Sequence, residues 1–384
     1  MPLRSGRTIR RLRKLLASAA TLAALLLALG WTAGRLWTDE HYWSQFLFWI
    51  PGAAWGGAVL LFAAFASILA PGAGRVSEKE AQHTRPRWSI GRLARLGMLG
   101  LATGLVTQTL IDRVLASGAA PGKRATDHLR VAQWNMSSPD VWSWEGTLAE
   151  TFPDAQLVLF SYAIAGPGFE HAVTGLEETH EIRRSNILCV ASAYPITRRE
   201  LHALALADLA TESRPAFVDR FQDWYNAVAP RFGVSRREFG AVEDGLLLEL
   251  ELDARASPLR RALRVWFIDL PSDPRLSRMK IARRAREAMD RLAQAQGDPD
   301  LIMGDFNIPR GSASLRVLAG GLAGGRAGGL VAPSDRVTPS WPRAMPTLHI
   351  DHSLVSPGAR SRGYWTIDTG VSDHRAQVID IEFR

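Results

Sequence analysis

Three segments near the C-terminus carry polar groups where apolar runs end. In "LIMGDFNIP", Asp305 and Asn307 alternate about Phe306, so both side chains face one way and Phe306 faces the core. Asp351 and His352 follow Ile350 in "HIDHSLVSP", and Asp373 and His374 precede a final alternating stretch in "VSDHRAQVIDIEF". Carboxylates, an amide and imidazoles at strand ends are groups that could hold a metal and a phosphate between them. Each is weak alone. An Asp after a Gly usually forms a turn, and a single strand His is usually a satisfied structural group. The joint occurrence and the order are the signal.

The elements that must position these groups read as short buried strands bounded by turn residues: "LRVAQWNM", "AQLVLFSYA", "SNILCVASAYPI", "LLLELEL", "LRVWFIDL", "DLIMGDFN" and "HIDHSLVSP". In "LLLELEL", leucines alternate with Glu249 and Glu251, the period of a strand wet on one face. Residues 275–296 repeat apolar side chains every three or four positions and predict an amphipathic helix whose arginines form a solvated face. The insert 198–239 reads as mostly helical, with "AFVDRFQDWYNAVAPRF" its clearest part. The paired glycines of "LAGGLAGGRAGGLVAP" lack the Gly-Lys-Ser/Thr ending of a phosphate loop and read as a surface loop. Cys189, the single cysteine, excludes an intramolecular disulfide and reads as a buried thiol.

Taken in order, "VAQWNM", "ASAYPI", "LIMGDFNIP", "PSWPRAMPTLHIDHSLVS" and "VSDHRAQVIDIEF" resemble the successive signature segments of the endonuclease/exonuclease/phosphatase superfamily. The resemblance runs from about residue 129 to the C-terminus. It implies an α/β fold, a four-layer sandwich of two packed mixed β-sheets flanked by helices. It also implies hydrolysis of phosphodiesters or phosphomonoesters with Mg²⁺ or Mn²⁺, since a cation and donors must absorb charge on the phosphoryl oxygens. By resemblance, Asp305 orients or deprotonates the attacking water, and Asn307 donates to the phosphoryl oxygens. Asp373 helps hold the metal, with Asn135 beside it. His374 contacts the phosphate or acts as base, and Asp351 fixes its tautomer. His352 supports the strand.

Two positions depart from the family pattern. The family's central metal ligand is a glutamate ending the second strand, after a glutamine. Here that strand reads "LVLFSYA", with Ser161 and Tyr162 in the place of Gln-Glu. A phenol, with an ordinary pKa of about 10, is neutral near pH 7 and a poor Mg²⁺ ligand. Glu170 is the nearest following acid, able to reach in only from a loop. The second departure is Asp269 in "VWFIDLPSDP", where the family shows a phosphate-contacting histidine. An ionised aspartate cannot donate and repels phosphate. Asp269 is therefore a candidate replacement metal ligand; the alternative is a degenerate site.

The N-terminal third differs in kind. Residues 1–117 carry 14 Lys and Arg against 5 Asp and Glu, whereas the remainder carries 32 against 33. The basic excess lies beside apolar stretches, a pattern of membrane contact rather than polyanion binding. About three transmembrane helices are expected, at 15–37, 44–70 and 94–114, within a membrane region 1–115. The third is slightly short and spans only if its flanking arginines snorkel. Residues 116–128, rich in Gly, Pro and small side chains, read as a linker, and 129–384 as the folded domain. Six basic residues precede the first span and six more lie between Pro71 and Arg95, so the positive-inside rule places both segments in the cytoplasm. Three crossings then put the domain outside, periplasmic or extracellular, in a multi-pass protein expected in a bacterial inner membrane.

These features leave three functions. The first is a membrane-anchored metal-dependent phosphoesterase. The second is a catalytically silent relative that binds a phosphorylated ligand or a protein partner. The third is a nuclease, which is not expected, because the folded domain lacks the basic excess that phosphate-backbone binding needs. The partners expected are a lipid bilayer and a phosphorylated substrate.

Overall fold

The structure is a computed structural model describing residues 3–70, 97–107, 125–136, 144–162, 167–206, 244–273, 276–320, 339–344 and 346–384, with residues 209, 220 and 227. It forms two compact units: Met1–Thr38 with Trp43–Ile111, and Asp39–Tyr42 with Asp112–Arg384.

The first unit is helical, with α1 (Leu3–Trp37), α2 (Tyr42–Trp49), α3 (Gly52–Leu69) and α4 (Gly97–Thr107). The expected span 44–70 is broken into α2 and α3 at Pro51. Proline lacks an N–H and pushes the residue before it out of the helical region. The Pro51 carbonyl accepts from the Ala54 and Trp55 amides at 2.9 and 3.2 Å, which starts α3. Thr8–Trp37 and Gly52–Leu69 are long and apolar enough to cross a membrane, each with a mean hydropathy of 1.9. Ala24, Val59 and Ala63 pack with Met98 and Ala102 of α4, while Leu15, Leu29, Leu36, Leu61 and Ile68 are exposed. α4 is shorter than a span. The rest of the expected third helix lies outside the described residues, as do most of the linker and most of the glycine-rich loop.

The second unit is a sandwich of two mixed sheets, as the family resemblance implies. One sheet contains β1 (His128–Asn135), β2 (Leu157–Ser161), β3 (Glu181–Ser185), β4 (Leu188–Ser192), β10 (Ala359–Ile367) and β11 (Ala376–Phe383), in the order β10-β11-β1-β2-β4-β3. The other contains β5 (Ile196–Ala203), β6 (Leu246–Asp253), β7 (Ala262–Asp269), β8 (Leu301–Asp305) and β9 (Asp351–Val355), in sequential order. Between the sheets lies a dry core of alternate residues, including Leu129, Val131, Leu157, Leu159, Val265, Phe267, Leu301, Met303, Ile379 and Ile381. The outer faces are covered separately. Trp134, Val158 and Phe160 pack with Leu148 and Ala172 of the helices α5 (Leu148–Thr151) and α6 (Pro167–Val173). Trp266, Ile268 and Ile302 pack under α7 (Arg278–Gln296) and α8 (Ala313–Leu318).

The insert begins as a strand rather than a helix. Residues 196–203 pair antiparallel with leucine-rich β6, and that pairing outweighs local helix preference. The segment "AFVDRFQDWYNAVAPRF" lies almost wholly outside the described residues. The strands β3 and β10 are sheet edges with half-buried, polar sequences. They carry no apolar run by which to recognise them.

Candidate active site

Strand parity decides which side chains reach the site. On β7 and β8 the inward set runs Val265, Phe267, Asp269 and Leu301, Met303, Asp305. Asp269, Asp305 and Asp351 are register partners across β7, β8 and β9, so three carboxylates end three neighbouring strands on one face. All are buried, as are Asp373 and His374. Gly304 permits this edge: at φ 151° a Cβ there would lie 1.8 Å from the Ile268 carbonyl oxygen, so only glycine fits against β7.

The parallel sheet edge opposite is built from β1 and β2. Asn135 and Ser161 are register partners, and both continue the inward sets Leu129–Val131 and Leu157–Leu159. The inward position at the end of β2 is thus Ser161. Tyr162 follows the strand at φ 60°, half-buried. Ser161 is the register partner of Asn135 and the last residue of β2, and Tyr162 lies one residue beyond it. Ser161 Oγ is buried and makes no hydrogen bond among the described residues. Glu170 is exposed on α6 rather than reaching in from a loop.

The two edges meet through side chains. Asn135 Nδ2 donates to Asp305 Oδ2 at 2.7 Å. The Asn307 amide donates to Asp305 Oδ1 at 2.9 Å, and Asn307 Nδ2 donates to the Leu270 carbonyl at 2.7 Å. Asn307 has φ 48°, a left-handed conformation that asparagine tolerates. His374 Nδ1 lies 2.8 Å from Asp351 Oδ2, while its Nε2 is 3.7 Å from Asp305 Oδ2 and 3.9 Å from Asp373 Oδ1. Asp305, Asp351 and His374 place ligand atoms within 4.8 Å of one another. Asp269 and Asp373 are not in that group. The expected cluster therefore assembles around Asp305, with Asp269 flanking it along the sheet.

Electrostatics separate two roles. Burial, and then the charge of Asp351, push the Asp305 carboxyl up to about 6, against the opposing effects of His374, the Asn307 amide and Asn135. Burial pulls the His374 imidazole down, but Asp351, Asp305 and Asp373 outweigh it and raise it to about 10. Near neutral pH, Asp305 is a carboxylate poised to take a proton and His374 is a cationic donor. His352 faces the other side of β9. Its Nε2–H donates to the Ile308 carbonyl at 2.7 Å, and burial holds its pKa well below the usual value. It is a neutral structural group, as the sequence suggested.

Supporting residues had weaker signals. Ser372 Oγ donates to the Asn135 carbonyl at 2.6 Å and accepts from the His374 amide at 3.0 Å, joining β1 to the His374 loop. Below it, Gln377 Nε2 donates to Gln133 Oε1 at 2.7 Å, and Ser353 Oγ donates to Gln377 Oε1 at 2.9 Å, which ties the two sheets beneath the site. Their inward parity was readable; their partners, up to 244 positions apart, were not. Arg278 is buried and donates to the Pro271 and Asp273 carbonyls, which fixes the loop after Asp269.

Two mixed sheets with a buried carboxylate–imidazole cluster at one edge define the class: an α/β sandwich of the phosphoesterase type. The chain belongs to the endonuclease/exonuclease/phosphatase family, which it matches over residues 125–374. No curated protein matches it. Among solved structures it is similar to a family protein from Bacteroides thetaiotaomicron, with 13% identity over 68% of this chain and 100% of that one at a TM-score of 0.44. A mannosyl-6-phosphatase from the same organism is similar at 13% identity, covering 66% and 100%, TM-score 0.44. So is the beta toxin of Staphylococcus aureus with bound magnesium ions, at 13% identity, covering 67% and 99%, TM-score 0.40.

Proposed function

We propose that this chain is a membrane-anchored phosphoesterase that hydrolyses a phosphodiester or phosphomonoester with a divalent cation. The observation that carries the reading is the buried Asp351–His374 pair beside Asp305, itself held by Asn135 across the sheet interface. Asp305 takes the proton from the attacking water, and a base near pH 6 suits that task at neutral pH. His374, held cationic by Asp351, donates from Nε2 to a phosphoryl oxygen. An Asn307 amide hydrogen adds a second donor.

The residues present fit a hard cation. Three buried carboxylates, of Asp305, Asp351 and Asp373, lie within 4 Å of one imidazolium, a surplus of negative charge that is costly without a counter-ion. The buried Ser161 Oγ, beside Asn135, is an oxygen donor that no described residue satisfies. Asp373 and Asn135 would hold the ion, with Ser161 the inward group beside them and Asp269 a candidate further carboxylate. Such an ion would supply positive charge to the phosphoryl oxygens. The helices α1 and α3, with the apolar stretch 94–114 as a third crossing, anchor the protein in a bilayer and put the sandwich on the outer side of a bacterial inner membrane. The near balance of charge from residue 118 onward, 32 basic against 33 acidic, argues against nucleic acid as substrate.

The test uses the full chain in detergent, assayed on bis(p-nitrophenyl) phosphate and p-nitrophenyl phosphate with Mg²⁺ or Mn²⁺. Chelator-sensitive turnover that disappears in Asp305→Ala supports the enzyme. The second reading, a silent phosphate- or protein-binding relative, is favoured by Ser161 and Tyr162 standing in the place of the family's Gln-Glu and by Asp269 in the place of its histidine. It predicts no turnover and no rise in melting temperature with either ion.

A further inference from the structure

A second cluster lies on the outer face of the five-stranded sheet, away from the site just described. Glu200 on edge strand β5 is the register partner of Glu249 on β6, two carboxylates directly opposite one another. His202, two residues along β5, shares their face. Like charges in that position destabilise a strand pair unless something lies between them. Glu249 is 1% exposed, yet its Oε2 makes no hydrogen bond among the described residues, and neither does His202 Nε2. The cations nearby stop short of it: Arg198 Nε is 3.7 Å from Glu249 Oε1, and His202 Nε2 is 3.5 Å from Glu249 Oε2. A buried carboxylate with no hydrogen bond at one oxygen is costly.

The geometry accounts for that cost in another way. Ligand atoms of Glu200, His202 and Glu249 all lie within 4.8 Å of one another. The contact of 3.5 Å between His202 and Glu249 is too long for a hydrogen bond. It is close to the roughly 3.3–3.5 Å that separates two ligands of one tetrahedral ion with bonds of about 2.0–2.2 Å. Arg198 engages Glu200 Oε2 at 2.7 Å and approaches Glu249 Oε1, leaving the second oxygen of each carboxylate to turn toward His202. Gln296, at the C-terminal end of α7, holds Arg198 in place at 2.5 Å.

We propose that Glu200, His202 and Glu249 form a binding site for one borderline divalent cation of the zinc class, which pins edge strand β5 to the sheet. One imidazole nitrogen with two carboxylate oxygens suits Zn²⁺ better than Mg²⁺, which takes oxygen ligands and keeps several waters. The site is separate from the phosphoesterase centre and stands whether or not that centre is active.

The experiment uses the full chain in detergent, stripped with chelator, in an Asp305→Asn, Asp351→Asn, Asp373→Asn background that removes the acids around His374 in the other centre. Co²⁺ is titrated as a spectroscopic stand-in for Zn²⁺. The expected result is one ion per chain with the visible absorption of tetrahedral Co²⁺, displaced by Zn²⁺, and a rise in melting temperature with Zn²⁺. His202→Ala should abolish the absorption. Glu200→Gln, at an exposed position, should weaken binding at least on the order of tenfold, the loss that even a group merely supporting a ligand produces. An ion-pair ladder only, seen as no saturable Co²⁺ spectrum or one unchanged in His202→Ala, overturns the proposal. Both variants alter side chains that are not fully buried, and a melting curve of each variant checks that it is folded before its spectrum is read.

Discussion

The two sheets bring opposite chemistry to the same edge of the sandwich. The five-stranded sheet ends in Asp269, Asp305 and Asp351 on adjacent strands in register. The six-stranded sheet ends in Asn135 and Ser161, neutral partners on β1 and β2. One side is a row of carboxylates in which burial, and then the charge of Asp351, raise Asp305. The other is uncharged, and only the loop ahead of β11 adds Asp373 and His374. In the proposed mechanism the water-activating and cation-holding groups come largely from different sheets, so substitutions on one sheet can alter one half without disturbing the other.

The largest effect expected is on the charged side. Asp305→Ala should lower kcat by on the order of 10²–10⁴-fold, the usual worth of a positioned base. Ser161→Ala, on the neutral side, should change it by less than about threefold. Equal losses in steady-state assays would break the comparison. Next is Ser161→Glu, which returns a carboxylate to the inward position on β2. The Mg²⁺ concentration for half-maximal turnover should fall about tenfold, read by metal titration beside a melting curve. No change would mean that the ion sits away from β2.

The pH profile is the third test. Turnover should fall as pH drops through about 6, where Asp305 gains its proton, and again as pH approaches 10, where His374 loses its own. Asp351→Asn removes a major support of the imidazolium and should bring the alkaline limb down by about one to three units. Stability follows the same residue. The His374 pKa is raised above its unfolded value of about 6.5, so its contribution is complete below that pH. It is lost as pH rises through about 10. Melting curves of wild type and His374→Asn should therefore converge over that window. The smallest effect separates neighbours on β9. His352→Phe should cost about 1–3 kcal/mol of stability through the orphaned Ile308 carbonyl, with kcat unchanged within about twofold.

Much of the site was legible in the residues themselves. Asp305, Asn307, Asp351, Asp373 and His374 sit in short motifs whose wording and order resemble a family. A polar residue closing an apolar run announces a strand end. Asn135 was legible in the same way, whereas Ser161 was less so, because one-residue errors at a strand end reverse inside and outside. The sequence placed Ser161 and Tyr162 together at the end of β2, and only the register shows that the inward series Leu157, Leu159 ends on the serine. The edge strands β3, β5 and β10 were illegible for a different reason: with one neighbour each, they need no continuous apolar stretch.

The sequence alone determined that a region of apolar helical stretches precedes an alternating strand-and-helix domain, and which motifs close its strands. Those properties are local, since hydrophobic period and turn chemistry act over a few residues. Tertiary structure decided which groups meet. Asn135 reaches Asp305 across 170 positions, and Glu249 faces Glu200 across a long insert. Those contacts depend on register and on how the two sheets stack, and both are set by the whole core rather than by any segment within it.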